Sequence, residues 1–100
     1  MKHKSRSSDP TARKATRAIA HGRASIACAL FSEGRFDPKV IEAIERTKIA
    51  VKETENAYQH SLKDPGNIVK TMQVLRAANE LECIADETLN TANLGLWLLA

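Results

Sequence analysis

The same dipeptide, aspartate followed by proline, occurs three times in this 100-residue chain, at residues 9–10, 37–38 and 64–65. The pairs are 28 and 27 residues apart. An aspartate can accept hydrogen bonds from the first backbone N–H groups of a helix, and proline is well tolerated at the first helical position. Proline also disfavours a helical conformation in the residue before it, so each pair ends one element and begins the next. The spacing therefore predicts three helices, over about 10–33, 38–62 and 65–97.

Apolar residues recur at steps of three and four in all three segments, which is typical of amphipathic helices, and no segment alternates as a strand would. The two links are short, and Gly34 fits the position of a glycine that ends the first helix. Short links favour antiparallel neighbours. We therefore predict an all-α fold, an antiparallel three-helix bundle. A short fourth helix at the C-terminus is expected if the third helix breaks near residues 90–93, where asparagine weakens it.

The first predicted helix carries two apolar strips side by side, and the small residues of the second strip would let neighbouring helices approach closely. The first strip contains Ala15, Ile19, Gly22, Ile26 and Leu30, and the second contains Ala18, Gly22, Ser25 and Ala29. The expected core positions of the second helix include Val40, Ile41, Ile44, Val51, Tyr58 and Leu62. Those of the third include Ile68, Met72, Leu75, Ala78, Leu81, Ala85 and Leu89.

Positive charge is concentrated near the N-terminus. Residues 1–35 carry eight Lys or Arg and two acidic residues, whereas residues 36–100 carry seven Lys or Arg and ten acidic residues. We predict a basic, flexible arm over 1–8 and a single helical domain over 9–100. Arg13, Lys14 and Arg17 fall in the first two turns of a helix, where positive charge opposes the helix dipole. A local rule broken in this way points to a function for these cations.

Targeting features are absent from the sequence pattern. No apolar run approaches the roughly 18–20 residues of a membrane span, and the charged N-terminus has no apolar segment behind it. The two cysteines are too few for a disulfide framework. We therefore expect a cytoplasmic protein with no membrane partner.

Catalytic and metal-binding patterns are also missing. The histidines and cysteines form no close pair of the kind that binds metal. Cys28 and His21 lie two helical turns apart, beyond hydrogen-bond reach, and both Cys28 and Cys83 are predicted to be buried and inert. The acidic residues are expected on solvated faces, with surface ion pairs Glu42–Arg46 and Glu45–Lys48. We predict no enzyme activity, no cofactor and no metal.

The last residues are unusually apolar. A thin, alanine-rich bundle cannot easily bury five large apolar side chains, so this tail is either folded back on the core or exposed as an anchor for a partner. The five are Leu94, Leu96, Trp97, Leu98 and Leu99.

The segment Glu-Thr-Glu-Asn-Ala-Tyr-Gln-His-Ser-Leu-Lys-Asp-Pro, from residue 53, is followed by Ile68, Met72 and Leu75. Over residues 53–89 it resembles the helical hairpin of type III secretion needle and inner-rod subunits. Where those subunits tend to carry a glutamine, this chain has Met72, with Gln73 next to it. The resemblance implies a structural subunit that polymerises.

The whole chain, small, all-helical and without catalytic motifs, is similar in format to some phage-borne anti-CRISPR inhibitors. That resemblance implies a stoichiometric inhibitor or accessory protein that docks on a larger protein or ribonucleoprotein complex. Its contact residues would be Arg13, Lys14, Arg17 and Arg23, or Trp97 in the tail. Two alternatives stay open: a self-assembling needle or rod subunit, and a small nucleic-acid-binding protein that uses the basic N-terminal region. The oligomeric state is not determined by the sequence.

Overall fold

The computed structural model describes the backbone of residues 9–99 and the side chains of residues 9–92. It contains three helices, α1 (Pro10–Leu30), α2 (Pro38–Lys63) and α3 (Ile68–Leu99), and no strand within that range. Each helix packs against both others, which confirms the all-α three-helix bundle. Neighbours along the chain are antiparallel, so α1 and α3 run in the same direction. We call the end where α1 begins, α2 ends and α3 begins the proximal end, and the opposite end the distal end.

The first two Asp-Pro pairs start helices as predicted. The Asp9 carboxylate accepts a hydrogen bond from the Thr11 backbone N–H at 3.0 Å, and Asp37 accepts from the Lys39 N–H at 2.9 Å. Both aspartates have extended backbone angles, and the proline that follows occupies the start of the helix. These caps satisfy backbone donors that the first turn of a helix leaves without partners.

The third pair behaves differently, and the prediction that α3 begins at residue 65 is wrong. Asp64, Pro65, Gly66 and Asn67 form a turn closed by a hydrogen bond from the Asn67 N–H to the Asp64 carbonyl at 3.2 Å. Gly66 has φ +87°, which is the angle that a type II turn requires after a proline at its second position. The helix then starts at Ile68, and the Asn67 side chain accepts from the Lys70 N–H at 3.1 Å.

Two further boundary predictions are corrected. The first helix ends at Leu30, and its cap is Phe31, whose backbone N–H bonds to the Ala27 carbonyl. Gly34 lies three residues beyond that cap and does not have the positive φ of a helix-ending glycine. The α3 backbone continues as one helix through residues 90–93 to Leu99, so no separate fourth helix forms.

The core is built from small residues at the centre of the bundle. Ala18 of α1 packs with Ala50 and Val51 of α2 and with Ala78 and Leu81 of α3. A second cluster towards the distal end contains Ala29, Val40, Ile44 and Ala92. The small strip of α1 is therefore buried as predicted. The larger residues of its neighbouring strip lie at the edge or in solvent: Ile19 and Ile26 are half-buried and Leu30 is exposed.

Buried threonines fix the pairing of α2 with α3. The Thr47 and Thr88 hydroxyl oxygens lie 2.7 Å apart, and both approach the Ala43 carbonyl. Thr54 donates to the Ala50 carbonyl of its own helix and approaches the Ala77 carbonyl of α3 at 3.3 Å. Buried hydroxyls need partners, and a shift of α2 along α3 would remove the contacts between the two helices and take the Thr88 hydroxyl away from Thr47 and Ala43.

Two glycine substitutions are expected to change stability in opposite directions. Gly66→Ala places a side chain at φ +87° and should cost about 1 kcal/mol of unfolding free energy, because a Cβ is strained there. Gly34→Ala meets only Val40 Cγ2 at 3.9 Å and should be neutral or stabilise by about 0.4–1 kcal/mol, because it restricts the unfolded chain. Urea unfolding of both variants measures the difference. Equal effects would contradict the turn described for residues 64–67.

Candidate functional site

The most distinctive charged surface lies on the first two turns of α1. It contains Arg13, Lys14 and Arg17, which we call the cationic face. Arg13 and Arg17 are exposed on consecutive turns and Lys14 is half-buried. Within the described residues, none of the three forms an ion pair. The three side chains and Glu82 of α3 line a shallow depression of about 270 Å³.

This placement costs stability within the chain. The first turn of α1 contains no acidic residue, and the N-terminal end of a helix already carries partial positive charge. Cations at such a position are unfavourable by about 0.3–1 kcal/mol each where they fall within the first turn. Arg13 and Lys14 therefore add to a positive potential at the proximal end instead of neutralising it.

Arg23, which the sequence grouped with these three cations, lies apart from them. It forms an ion pair with Glu55 of α2, across the groove between the two helices. An exposed pair of this kind contributes about 0–1 kcal/mol to stability. The structure therefore brings three of the four predicted cations together and directs the fourth to a partner within the chain.

Trp97, the remaining predicted contact residue, is in the last turns of the α3 backbone, but its side chain is outside the described residues. The basic arm predicted over residues 1–8 is outside them as well. Both stay predictions, as does the choice between a buried and an exposed tail.

A second surface at the proximal end was not predicted as a site. Leu62, Ile68, Val69 and Met72 flank the turn between α2 and α3, and we call them the hairpin tip. Their exposed fractions are 53%, 71%, 64% and 60%. Leu62, Ile68 and Met72 were expected in the core. Ile68 and Met72 are exposed because the buried side of α3 is formed by Val74, Ala78 and Leu81, and successive residues of a helix turn by about 100°. Leu62 is exposed because it lies near the end of α2, beyond Thr54, the last buried residue of that helix.

The distal end also presents apolar side chains. Leu30, Phe31 and Phe36 are exposed, and the Arg35 guanidinium lies 5.0 Å from the centre of the Phe36 ring. A cation over an aromatic face gains about 0.5–1 kcal/mol at an exposed site. Leu30 ends α1, and Phe31, Arg35 and Phe36 belong to the link between α1 and α2, at the opposite end of α1 from the cationic face.

Reactive side chains are placed on the surface. Cys28 and Cys83 are both exposed, so the prediction that they are buried is wrong. Cys83 is two residues from the buried Leu81 and therefore points away from the core. His21 approaches the Asp86 carboxylate at 2.8 Å, which links α1 to α3. Within residues 9–92, no three His, Cys, Asp or Glu side chains group closely enough to hold a metal ion.

The predicted surface ion pairs are realised in part. Lys48 lies 3.4 Å from Glu45, as the spacing indicated. Arg46 does not pair with Glu42 on its own helix; it reaches Glu87 of α3 at 3.7 Å. Over the described part of the chain, no helix combines the length and the apolar character that crossing a bilayer requires.

No protein-family model, curated protein or solved structure matches this chain. The resemblances to anti-CRISPR inhibitors and to secretion-needle subunits therefore stay predictions. What can be said of function rests on the charge, exposure and packing of the described residues.

Proposed function

We propose that this protein is a non-catalytic docking module that binds an acidic surface of a larger protein or nucleoprotein assembly. The observation that carries the proposal is the cationic face of α1, where Arg13, Lys14 and Arg17 lie within the first eight residues of the helix and Arg13 and Lys14 lie near the positive end of its dipole. We further propose that it acts in the cytoplasm, without a cofactor, as a small inhibitor or accessory protein. Anti-CRISPR proteins, which it resembles in format, act in this way.

The three positive charges are not balanced by the residues around them. Within the described chain the helix dipole opposes Arg13 and Lys14, and the depression that the three cations line contains one carboxylate, that of Glu82. A partner that supplies further carboxylates would balance the remaining positive charge. Complementary charge of this kind raises the association rate and selects partners more than it adds affinity.

The neighbours of the cationic face favour a protein partner over a nucleic acid. Proteins that bind single strands stack bases on aromatic side chains beside a cationic groove. Among the described aromatic residues, Phe31 and Phe36 lie at the distal end, and Tyr58 is half-buried on the α2 side of α1. The hairpin tip, which shares the proximal end, is aliphatic. Aliphatic and cationic groups together fit an acidic protein surface.

A charge-reversal pair of variants tests the proposal. Combining Arg13→Glu, Lys14→Glu and Arg17→Glu should reduce capture of a protein complex from a nuclease-treated bacterial lysate by about tenfold or more, equivalent to ~1.4 kcal/mol. The matched control reverses Lys39, Lys48 and Lys52, three exposed lysines of α2, and should bind as the natural protein does. Binding by the natural protein should weaken as salt rises from about 0.05 to about 0.3 M, because screening shortens the range of the attraction.

Thermal unfolding separates lost binding from lost folding in this experiment. The reversed α1 should keep its melting temperature, because carboxylates near a helix N-terminus are favourable and offset the repulsion between the new glutamates and Glu82 in the same depression. Equal capture by both triple variants would contradict the proposal. Capture that disappears after nuclease treatment would favour a nucleic-acid-binding protein, and open-ended growth in light scattering would favour a self-assembling subunit.

A further inference from the structure

We infer that the hairpin tip receives an acidic amphipathic helix of the partner. This inference rests on the proposed function, because it assigns the apolar part of the same docking end. Leu62 is the residue before the last of α2 and Ile68 is the first of α3, with the turn at residues 64–67 between the two helices. Ile68 and Met72 are one helical turn apart and therefore adjacent on α3. Single exposed aliphatic residues are common on protein surfaces, whereas a cluster of four beside one turn marks a binding surface.

The charges around the tip determine which occupant fits. Between residues 60 and 80 the chain has two carboxylates, Asp64 and Glu80, and three basic residues, Lys63, Lys70 and Arg76; Glu80 lies two helical turns beyond Met72. Lys70 lies 3.6 Å from Asp64, whereas Lys63 and Arg76 form no ion pair with any described residue. The tip is thus an aliphatic surface with a net positive border.

That border argues against two other occupants. A second copy docked tip to tip would bring Lys63 and Arg76 towards the same residues of the other chain, and like charges across an interface are costly. A nucleic acid would meet aliphatic side chains, which offer bases neither stacking nor hydrogen bonds. A protein segment with aliphatic residues on one side and carboxylates at its edges satisfies both parts of the surface.

The shape of α3 favours a helical segment. The outer side of its first four turns lines an open depression of about 690 Å³, with Val69, Met72 and Leu75 as apolar lining, Arg76 beside them and Glu80 at the far end. This is within the size range of sites that accept a few side chains. An amphipathic helix presents its anchors at steps of three and four residues, the same spacing that separates Val69, Met72 and Arg76 on α3.

The test uses the full chain with isotope-labelled methyl groups and two synthetic helical peptides of about five turns. The peptides share one leucine pattern and differ only in their flanking residues, glutamate in one and lysine in the other. The glutamate peptide should cause saturable shifts at the methyl groups of the hairpin tip, and the lysine peptide should bind about tenfold or more weakly. Equal binding of the two peptides, or shifts centred elsewhere, would overturn the inference.

A matched pair of variants locates the contact. Combining Val69→Glu and Met72→Glu should reduce affinity for the glutamate peptide by about tenfold or more. Ile49→Glu, which changes an equally exposed aliphatic residue of α2, should leave it unchanged. Since all three positions are exposed, the variants should keep the natural melting temperature, and a loss of binding without unfolding then supports the inference.

Additional binding measurements distinguish a helical peptide from other occupants of the hairpin tip. They also show whether the inference or the proposed function fails. Preference for anionic phosphatidylserine vesicles over the glutamate peptide would overturn the inference in favour of a membrane surface, and dimerisation lost in the Val69→Glu, Met72→Glu variant would do so in favour of a second copy. If the tip variants still bind the peptide while the α1 charge reversal abolishes complex capture, the inference fails and the proposed function stands. If the charge reversal has no effect, the proposed function fails whatever the peptide does.

Discussion

Gly22→Leu is expected to lower the unfolding free energy by about 3 kcal/mol, because three helices meet closely at this residue. A Cβ atom built at Gly22 would lie 2.8 Å from Val51 Cγ2 and 2.9 Å from Leu81 Cδ1. Both distances are shorter than van der Waals contact, so a larger side chain must displace the Val51 and Leu81 side chains from their packed positions or push α2 and α3 away from α1. Urea unfolding followed by circular dichroism measures the loss as a lower midpoint at an unchanged slope.

The matched control is Ala24→Leu, which adds a leucine to the exposed side of the same helix and should change stability little. Gly22→Ala should fall between the two. Alanine gains about 1 kcal/mol of helix propensity over glycine, which partly offsets the contacts of its Cβ. If Gly22→Leu and Ala24→Leu unfolded at the same urea concentration, the close approach at Gly22 would be wrong.

The packing at Gly22 also explains why only some of the core positions predicted for α1 are buried. Two strips of α1 repeat at steps of three and four, one containing Ile19 and Ile26 and the other Ala18 and Ser25. Periodicity alone gives both strips equal weight as core. Close approach of three helices leaves room for small side chains at the centre, so Ala18 and Ser25 are fully buried and the isoleucines lie at the edge.

Helix starts were predicted correctly where an Asp-Pro pair is not followed by residues that favour a turn. Asp9 and Asp37 cap helices because nothing in the residues that follow competes with a proline at the first helical position. At the third pair, Gly66 follows Pro65, and a Pro-Gly sequence supplies the two conformations of a type II turn. The competing turn moves the start of α3 to Ile68, with Asn67 in the capping role that Asp64 was predicted to have.

The candidate site depends on contacts that a sequence pattern does not contain. The grouping of Arg13 with Arg17 follows from their spacing on one helix and was predicted. The pairing of Arg23 with Glu55 depends on which residues of α1 and α2 lie at the same level, and 32 positions separate the two in sequence. The hairpin tip was missed for a similar reason. Ile68 and Met72 share the spacing of three and four residues with Ala78 and Leu81, and the packing of α1 and α2 against α3 determines which of these apolar residues are buried.

Leu81→Ala is expected to cost about 2–5 kcal/mol, a large share of the roughly 5–15 kcal/mol that holds a domain of this length together. Among the side chains of residues 9–92, Leu81 is the largest that is fully buried, and it belongs to the central cluster together with residues of both other helices. Its removal leaves a cavity that the small neighbouring residues cannot fill. Leu62→Ala, a leucine truncation at the exposed hairpin tip, is the control and should cost well under 1 kcal/mol.

Combining Leu81→Ala with Gly22→Leu should cost less than the two single changes added together. The space that Leu81 vacates adjoins Gly22, so a leucine introduced from α1 can occupy part of it, although its contact with Val51 remains. Residues that share a cavity typically couple by about 0.5–3 kcal/mol, and we expect about 1 kcal/mol or more here. A four-variant urea cycle at equal slopes measures the coupling. If the losses of the two single variants simply add, Gly22 and Leu81 do not share the centre of the bundle. If the double variant loses less than that sum, the side-chain volume where the three helices meet limits how closely they approach.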